Sequence, residues 1–273
     1  MTSPIIFKTY KMFISGAYQR SESGRVYQEG ACTFPDASVK DLRNAIEAAA
    51  NPAWSKMSAY GRGQIIYRIA EMISNRREEF TQYLEIDGYS SEGARKEIDL
   101  TIDKIIYYAG FTDKYQQLLG SVNPINGPYF SSSNPGPIGV VAIAPSPDTA
   151  LLGFVSGLLP ALVAANTLVV ISEDYQAARL SFAEVLGCSD LPAGTINILT
   201  TSNRGALLPM IAAHQSVLAA DISGVANKKE QQDFISASSG NLKKVLTNTS
   251  TKNGLAAIAD FSQIKTAWHP QSF

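Results

Sequence analysis

Apolar residues in the first part of the chain recur at the three- and four-residue spacing of amphipathic helices. One series begins after Ser38, and Ser38 with Asp41 resembles a helix-capping box with the shorter acid. A second series follows Ser58. A third runs through 78–86 and stops at Gly88, which suits the left-handed position after a helix. A fourth, long helix is predicted for 91–117. The pattern therefore predicts four helices in this part.

Short β-prone runs flank these helices. Residues 12–16 and 23–27 are separated by a polar turn, which predicts a hairpin or an edge ribbon on the surface of the protein. Residues 119–134 are rich in Gly, Pro, Ser and Asn and contain the β-prone pair Tyr129 and Phe130. We therefore expect an extended ribbon there, which as an edge can add a strand to the sheet of a partner. The alternative is a ribbon that is covered within the chain.

Beyond the ribbon, short runs of branched apolar residues alternate with helical patterns. The predicted strands are 140–144, 168–171, 195–199 and 217–222, with a weaker fifth at 243–246. This alternation predicts an α/β fold with a Rossmann-like, mostly parallel sheet covered by helices on both faces. The most apolar stretch, 151–171, is predicted to be a buried helix and a buried strand, cut at Pro160 and at Asn166, rather than a membrane span.

The same patterns divide the chain into three segments. Residues 1–118 are predicted to form an N-terminal hairpin and helical segment, and 119–136 the extended ribbon. Residues 137–273 are predicted to form a Rossmann-like domain of the cofactor-binding type with a truncated tail. No internal repeat is evident.

Charge and cysteine content narrow the classes of partner. Lys and Arg total 23 and Asp and Glu total 24, a net charge of −1, so no global field attracts a nucleic acid or an anionic membrane. Two cysteines and two histidines are too few for a disulfide framework or a structural zinc site. The N-terminus shows no secretory signal pattern. We expect a cytoplasmic protein without a metal.

Two turns are candidates for an anion site. A dinucleotide fold usually has a glycine-rich turn after its first strand, but here that turn contains Pro145 and Pro147, which have no backbone N–H for a phosphate. The other candidate is Ser223 and Gly224, after the fourth predicted strand and at the start of a helix that carries two lysines. The alternative is a plain strand-to-helix turn with a solvated lysine pair.

The cysteines and histidines lack the neighbours that chemistry needs. Cys188 lies between a helix end and a strand with no histidine near it in sequence, and Cys32 is similar. His214 and His269 have no further ligand at the spacing of a metal site. We interpret all four as structural or surface residues, while contacts of the two thiols in space stay open.

Several segments together resemble the N-terminal half of the aldehyde dehydrogenase superfamily in order and spacing, over roughly residues 11–225. They are Phe13-Ile14-Ser15-Gly16, Ala59-Tyr60-Gly61-Arg62-Gly63-Gln64, Pro137-Ile138-Gly139-Val140-Val141, Leu159-Pro160-Ala161-Leu162-Val163-Ala164-Ala165-Asn166-Thr167 and Leu191-Pro192-Ala193-Gly194-Thr195-Ile196-Asn197. The tail, including Trp268-His269-Pro270, is similar to the end of the second, truncated repeat of the two-domain family sixteen aldehyde dehydrogenases. The resemblance implies that this chain is that second unit, and that the catalytic domain is absent.

The resemblance also implies which chemistry is missing. Members oxidise aldehydes with NAD or NADP through a cysteine, and Ser146-Pro147 stands where they have an aromatic residue and an oxyanion-stabilising asparagine. Ile171 stands where they have a ribose-binding lysine, and Asp174 lies close to the usual acidic ribose ligand. Val225 replaces the last hydroxyl of the phosphate turn. Neither the nucleophilic cysteine nor the general-base glutamate has a counterpart.

These features predict a catalytically inactive, aldehyde dehydrogenase-like structural or regulatory subunit with no catalytic residue. We expect a homo-oligomer, or a complex with a full-length aldehyde dehydrogenase, formed through the ribbon Gly120 to Asn134. No cofactor is expected, and Ser223, Gly224 and Asp174 are interpreted as remnants of a cofactor site. Two alternatives stay open, namely a module that still binds NAD or NADP, and an active oxidoreductase whose thiol is Cys188.

Overall fold

A computed structural model describes residues 8–30, 32–51, 53–249 and 252–271. The helices are α1 (Val39–Ala49), α2 (Ala53–Lys56), α3 (Ala59–Asn75), α4 (Arg77–Ile86), α5 (Ser91–Ala109), α6 (Tyr115–Leu119), α7 (Leu152–Val163), α8 (Gln176–Cys188), α9 (Leu208–Ala213), α10 (Lys228–Ser238) and α11 (Gly254–Asp260). The strands are β1 (Met12–Ile14), β2 (Ala17–Gln19), β3 (Val26–Glu29), β4 (Cys32–Pro35), β5 (Ser121–Asn123), β6 (Tyr129–Pro137), β7 (Val140–Ile143), β8 (Thr167–Ser172), β9 (Ile196–Thr200), β10 (Val217–Asp221), β11 (Lys244–Leu246) and β12 (Ser262–Pro270).

A seven-stranded sheet forms the centre of the molecule, with the strand order β11-β10-β7-β8-β9-β1-β2. The five strands from β7 to β11 are parallel, which confirms the predicted α/β fold. Alternate residues of a strand face opposite sides of the sheet. Val141 and Ile143 therefore pack with α3, α5, α7 and α8, whereas Val140 and Ala142 pack with α1, α9 and α10.

The N-terminal strands differ from the prediction of a surface hairpin. β1 and β2 form a hairpin through Ser15 and Gly16, both at positive φ, and β1 also pairs antiparallel with β9. The side chains of β1 are buried, because the hairpin extends the central sheet. The second predicted run, β3, pairs with β4 and not with the first run. The two runs therefore do not pair with each other, and the prediction of a hairpin formed between them is wrong.

The predicted long helix over 91–117 ends early, at Ala109, and a separate α6 follows it. The Thr112 hydroxyl donates a hydrogen bond to the Ala109 carbonyl oxygen over 2.9 Å, which satisfies a terminal acceptor of α5. The turn also lets the Tyr115 side chain become fully buried. Helical spacing continues across this turn, so the sequence pattern did not reveal it.

The capping box of Ser38 and Asp41 is present as predicted, and Gly88 follows α4 with φ of 94°. Pro160, however, lies inside α7 and does not interrupt it. The chain leaves the helix at Ala165, whose φ is 66°, and enters β8 two residues later. Among the described residues, no helix is long and apolar enough to cross a membrane.

A separate three-stranded antiparallel sheet contains the ribbon, in the order β12-β6-β5. β12 pairs with the whole of β6, from Ser262 opposite Pro137 to Pro270 opposite Tyr129. Both edges of β6 are therefore occupied within the chain. The expectation that Tyr129 and Phe130 lie in an edge strand is wrong, because the distant segment 262–270 covers that edge, and the alternative of a ribbon covered within the chain is the one present. The boundaries 1–118, 119–136 and 137–273 remain a prediction.

The fully buried side chain of Asn166 joins these two sheets. Its Oδ1 accepts hydrogen bonds from the backbone N–H groups of Ile138 (2.7 Å) and Gly139 (3.0 Å), between β6 and β7. Its Nδ2 donates to the carbonyl oxygens of Ala161 (3.0 Å) and Phe261 (2.8 Å), in α7 and just before β12. One carboxamide thus satisfies four backbone groups from three segments.

We expect the substitution Asn166→Ala to lower the free energy of unfolding by about 3 kcal/mol or more, because each buried backbone group left unpaired costs about 1–3 kcal/mol. Asn134→Ala is the matched control, since Asn134 is exposed and its side chain donates only a long hydrogen bond to Ser132. Urea unfolding of both variants provides the comparison. Equal stability of the two variants would contradict the role of Asn166.

Candidate functional site

The candidate site lies where the loops after β7 and β10 leave the carboxyl edge of the central sheet. β8 pairs with one edge of β7 and β10 with the other, so the connections after these strands diverge. In open α/β sheets such a switch point is the usual place for a ligand crevice. Ser223 and Gly224 follow β10 at this position, and Pro145 follows β7.

The two loops are in direct contact at Gly224. A Cβ atom on this residue would lie 2.2 Å from the carbonyl oxygen of Pro145 and 2.5 Å from that of Ala144. Arg204 joins the same loops, since its guanidinium donates to the carbonyl oxygens of Pro145 and Gly224, each over 3.1 Å. The glycine therefore permits a close approach of backbone to backbone within the chain.

The hydrogen-bonding groups of Ser223 are engaged internally. Its backbone N–H donates to Oδ1 of Asp221 over 2.9 Å, and its hydroxyl is 2.9 Å from that of Thr249. The Thr249 hydroxyl in turn donates to Oδ2 of Asp221. Burial raises the pKa of the Asp221 carboxyl. A buried carboxyl group rather than an open N–H pair thus lies beside this turn.

The helix after this turn begins later than the sequence predicted. α10 starts at Lys228, and Oδ1 of Asn227 accepts hydrogen bonds from the backbone N–H groups of Lys229 and Glu230. Glu230 adds a negative charge in the first turn. Two of the backbone donors at this helix end therefore already have a partner, as in an ordinary capped helix.

Asp174 lies apart from Ser223 and Gly224. It follows β8, and β7 lies between β8 and β10. Two strand spacings of about 4.8 Å separate such positions. Its neighbour Glu173 forms an ion pair of 3.2 Å with Arg204, which links the two sides of the crevice. Ser223 and Gly224, which are consecutive in the chain, therefore lie on one side of the crevice and Asp174 on the other. Whether any of them binds a cofactor remains a prediction.

A second buried arginine, Arg179 of α8, holds the loop after β7. Its guanidinium donates to the carbonyl oxygens of Ala150 (3.1 Å) and Ser146 (3.0 Å) and to the Ser172 hydroxyl (3.2 Å). Burial lowers the pKa of Arg179 to about 10, and the nearby charge of Asp174 opposes this shift. Arg179 therefore stabilises the loop, because its donors are bonded to carbonyl and hydroxyl oxygens of the chain itself.

The positions that the resemblance singled out have structural surroundings. Pro147 is exposed at the tip of the loop after β7, and the neighbouring Ser146 hydroxyl donates to the Asp148 carboxylate over 2.7 Å. Ile171 is buried in the hydrophobic core between the sheet and α9. A proline ring and a buried alkyl chain offer no polar group to an oxyanion or a ribose.

A cavity of about 340 Å³ opens beside the crevice, between α5, α7 and the loop after β11. Lys104 and Tyr108 line it from α5, and Asn253 accepts hydrogen bonds from both at 3.3 and 3.2 Å. Thr249 and Ser223 contribute hydroxyl groups. Sequence reasoning missed Lys104, Tyr108 and Thr249. The four-residue spacing of the first two on one helix was the available signal, but it occurs equally in solvated helices.

The candidate nucleophiles and metal ligands lie elsewhere. α8 runs from the carboxyl edge of the sheet to the amino edge, so Cys188 at its end is exposed far from the crevice. Cys32 lies in β4, where burial raises the pKa of its thiol. His214 precedes β10 at the amino edge, and His269 is in β12. In the part of the chain that is described, no cluster of such residues is arranged to hold a metal.

Two carboxyl groups next to Arg179 are poorly hydrogen-bonded. One buried oxygen of Glu29 and one of Asp87 have no hydrogen-bond partner among the described residues. Burial, together with the charge of Glu29, raises the pKa of Asp87 to about 7. Burial also raises the pKa of Glu29. The two acids lie between the β3–β4 hairpin and the end of α4.

Sequence comparison places this architecture in a family. The family model described as "Aldehyde dehydrogenase family" matches residues 21–268, which is most of the chain. This chain belongs to the aldehyde dehydrogenase family. The match includes the crevice residues Ser146, Asp174 and Gly224, whose positions the family resemblance had indicated.

Curated members of the family are between 26% and 29% identical to the chain over the aligned residues. Retinal dehydrogenase 2 of Mus musculus is 29% identical over 213 residues, covering 72% of this chain and 40% of that protein. Cytosolic aldehyde dehydrogenase 1 of Elephantulus edwardii is 26% identical over 265 residues, covering 92% and 52%. The chain therefore spans about half the length, or less, of these relatives.

Solved structures of the family have the same fold. A putative aldehyde dehydrogenase from Burkholderia cenocepacia superposes with a TM-score of 0.79 and 26% identity, over 87% of this chain and 50% of that one. An aldehyde dehydrogenase from Bacillus cereus, solved as an NAD⁺ complex, superposes with a TM-score of 0.78 at 23% identity, again over 87% and 50%. The second likeness supports the fold alone.

We expect Gly224→Ala to lower the free energy of unfolding by about 1–3 kcal/mol, because its methyl group would overlap the Pro145 carbonyl group and force the two loops apart. Gly240→Ala is the matched control, since no atom lies within 4 Å of its added Cβ. Chemical denaturation measures both. A Gly224→Ala protein as stable as the Gly240→Ala protein would show that the crevice is open.

The raised pKa of Asp87 predicts a pH-dependent stability. The folded state retains a proton that the unfolded chain releases at lower pH, so the free energy of unfolding falls as pH rises from the ordinary aspartate pKa to about 7. The free energy of unfolding of Asp87→Asn minus that of the wild type should therefore be larger at pH 8 than at pH 5, because asparagine carries no buried charge at either pH. The exposed Asp103→Asn serves as control, and a parallel pH dependence of both variants would count against this account.

Proposed function

We propose that this member of the aldehyde dehydrogenase family is a subunit without catalysis of its own, which assembles with itself or with a complete aldehyde dehydrogenase. The closed crevice at Gly224 is the observation that carries the proposal. Backbone carbonyl groups meet there, and Arg204 bridges them, where a cofactor would need free N–H donors.

The residues present in the crevice do not fit an NAD pyrophosphate. The N–H of Ser223 is bonded to Asp221, and the N–H groups of Lys229 and Glu230 in α10 are bonded to Asn227. Ile171, in place of a ribose-binding lysine, is buried in the core. No step of a dehydrogenase reaction is therefore assigned to these side chains.

A role as the second, truncated unit of a family sixteen-type aldehyde dehydrogenase agrees with these substitutions. In such a unit, the sheet and its helices would keep their packing function while the residues for oxyanion and ribose binding vary. Pro147 and Ile171 are the two positions that support this interpretation. Two free cysteines, Cys32 and Cys188, accord with a cytoplasmic location, because reducing compartments keep thiols unpaired.

The composition and native mass of the complex recovered on a tagged copy from its own cells test this function. A complete aldehyde dehydrogenase in fixed stoichiometry, or an oligomer of this chain, is the expected result. The purified chain alone should not reduce NAD or NADP in the presence of aldehydes. If the purified chain oxidises aldehydes and Cys188→Ala abolishes this activity, the alternative of an active oxidoreductase with Cys188 as its thiol would be established instead.

NADH should not raise the melting temperature of the purified chain. A ligand at a hundred times its dissociation constant stabilises the folded state by about 2.7 kcal/mol, which thermal unfolding detects readily. A shift that saturates below millimolar NADH would overturn this expectation and support the alternative nucleotide-binding module. Lys104→Ala would then show whether the cavity beside the crevice is the site.

A further inference from the structure

A cavity in the N-terminal part of the chain carries a local excess of positive charge. It has a volume of about 420 Å³ and lies between the residues that precede β1, the turn after β2 and the β3–β4 hairpin. Lys8, Arg20 and Arg25 line it, and none of the described aspartates or glutamates does. Because the whole chain has a net charge of −1, this cavity is a positive site on a nearly neutral protein.

The two arginines of this cavity have no carboxylate partner among the described residues, since all ion pairs there involve other side chains. The acids nearest to them in the sequence are bonded elsewhere. A carboxylate oxygen of Glu22 is 2.8 Å from a lysine amine of α1, and Asp36 accepts a hydrogen bond from the Ser202 N–H over 3.0 Å. The positive charges of Arg20 and Arg25 are therefore not balanced within the described chain.

Lys8 differs from the arginines, because its charge is balanced. Its amine lies 2.7 Å from a carboxylate oxygen of Glu184 and donates to the Tyr83 hydroxyl over 3.0 Å. Two of the three cations that line the cavity therefore remain for a ligand. A phosphate monoester carries about two negative charges near pH 7, and guanidinium groups bond phosphate oxygens in a bidentate manner. The unbalanced charge of the cavity thus matches one phosphate monoester.

The turn between the two arginines is held in place by a buried carboxylate. The Ser21 hydroxyl donates to Oδ2 of Asp41 over 2.8 Å, and the Glu22 N–H donates to Oδ1 over 3.0 Å. The Gly24 N–H donates to the Ser21 carbonyl oxygen over 2.9 Å, with the φ of Gly24 at 68°. The backbone that carries both guanidinium groups is therefore fixed before a ligand binds, which lowers the entropy cost of binding.

The remaining wall of the cavity is largely apolar. Tyr10, Val26, Phe34 and Pro35 contribute to it. The rings of Tyr10 and Phe34 are both buried and lie 4.7 Å apart, whereas Val26 is 63% exposed. Small-molecule sites typically combine such a wall with a few polar groups in a volume of about 300–1,000 Å³. A ligand with a charged group and an apolar group fits this division.

We propose that this cavity binds a small phosphate monoester with an apolar organic group, whose phosphate is held by Arg20 and Arg25. The inference goes beyond the proposed subunit function and does not depend on it. The cavity is lined only by residues between 8 and 35, and none of them lines the cavity beside the Gly224 crevice. NADH contains no phosphate monoester, so the NADH experiment and this inference have separate outcomes.

Calorimetric titration of the purified full chain with phenyl phosphate tests the proposal. We expect a dissociation constant below about 1 mM. Benzenesulfonate has the same ring but a single charge, and inorganic phosphate has the charge but no ring, so each should bind at least about tenfold more weakly. Equal affinity of either compound, or no heat of binding with phenyl phosphate at millimolar concentration, would overturn the proposal.

Arginine variants locate the site. Arg20→Gln and Arg25→Gln should each raise the dissociation constant of phenyl phosphate at least about tenfold, because each removes charge-assisted hydrogen bonds to the phosphate. Arg43→Gln is the matched control, since Arg43 is an exposed arginine of α1 outside the cavity and its loss changes the net charge equally. Equal affinities of the three variants would show that the phosphate binds elsewhere and refute the site.

A charge introduced on the apolar wall gives a second test that removes no arginine. Val26→Asp should weaken phenyl phosphate binding by repulsion, whereas Val39→Asp, at a similarly exposed position of α1, should bind like wild type. Circular dichroism checks that both variants are folded. Equal binding by the two variants would contradict the proposed site. Because all titrations use the purified chain, their failure leaves the proposed subunit function in place, and recovery of the chain alone from its cells leaves the titrations unaffected.

Discussion

The side chain of Asn166 ties together three segments of the chain by hydrogen bonds to their backbone groups. They are the connection from β6 to β7, the last part of α7 and the residue before β12. The carboxamide has two acceptor and two donor positions, and all four are used by backbone groups of these segments. One buried polar group therefore helps to fix the second sheet to the first, while the direction of β12 is set by its antiparallel pairing with β6.

At the switch point of the sheet, where related folds commonly bind a ligand, the loops of this chain pack against each other. Arg179 and Arg204 are both buried, and a buried cation requires partners. They obtain them from the carbonyl oxygens of the loops after β7 and β10. Because these loops also touch directly at Gly224, the ligand position between them is filled by the protein itself. Gly224 has no side chain, which leaves room for the backbone of Pro145.

The predictions for individual elements succeeded or failed according to the range of the interactions involved. The capping box of Ser38 and the five parallel strands depend on local residue pattern and burial, and both are present. The surface hairpin of residues 12–16 with 23–27 and the single helix over 91–117 were wrong, because β1 pairs with β9 and α5 ends at Ala109, whose carbonyl oxygen accepts from the Thr112 hydroxyl. The pairing of β1 with β9 joins residues far apart in the chain, whereas the Thr112 contact is local but does not show in the spacing of apolar residues. Pro160 likewise lies within α7, where packing outweighs its lost hydrogen bond.

The sequence by itself determined the α/β class, the family and the loss of polar groups at Pro147 and Ile171, since these depend on residue type and order alone. Only the tertiary structure decided that Gly224 packs against Pro145, that Lys104 and Thr249 share a cavity, and that β12 covers the ribbon. Each of these contacts joins residues that are far apart in the chain. Residue spacing determines which side of a helix or strand is buried, but the partner on that side is selected by the packing of the whole molecule.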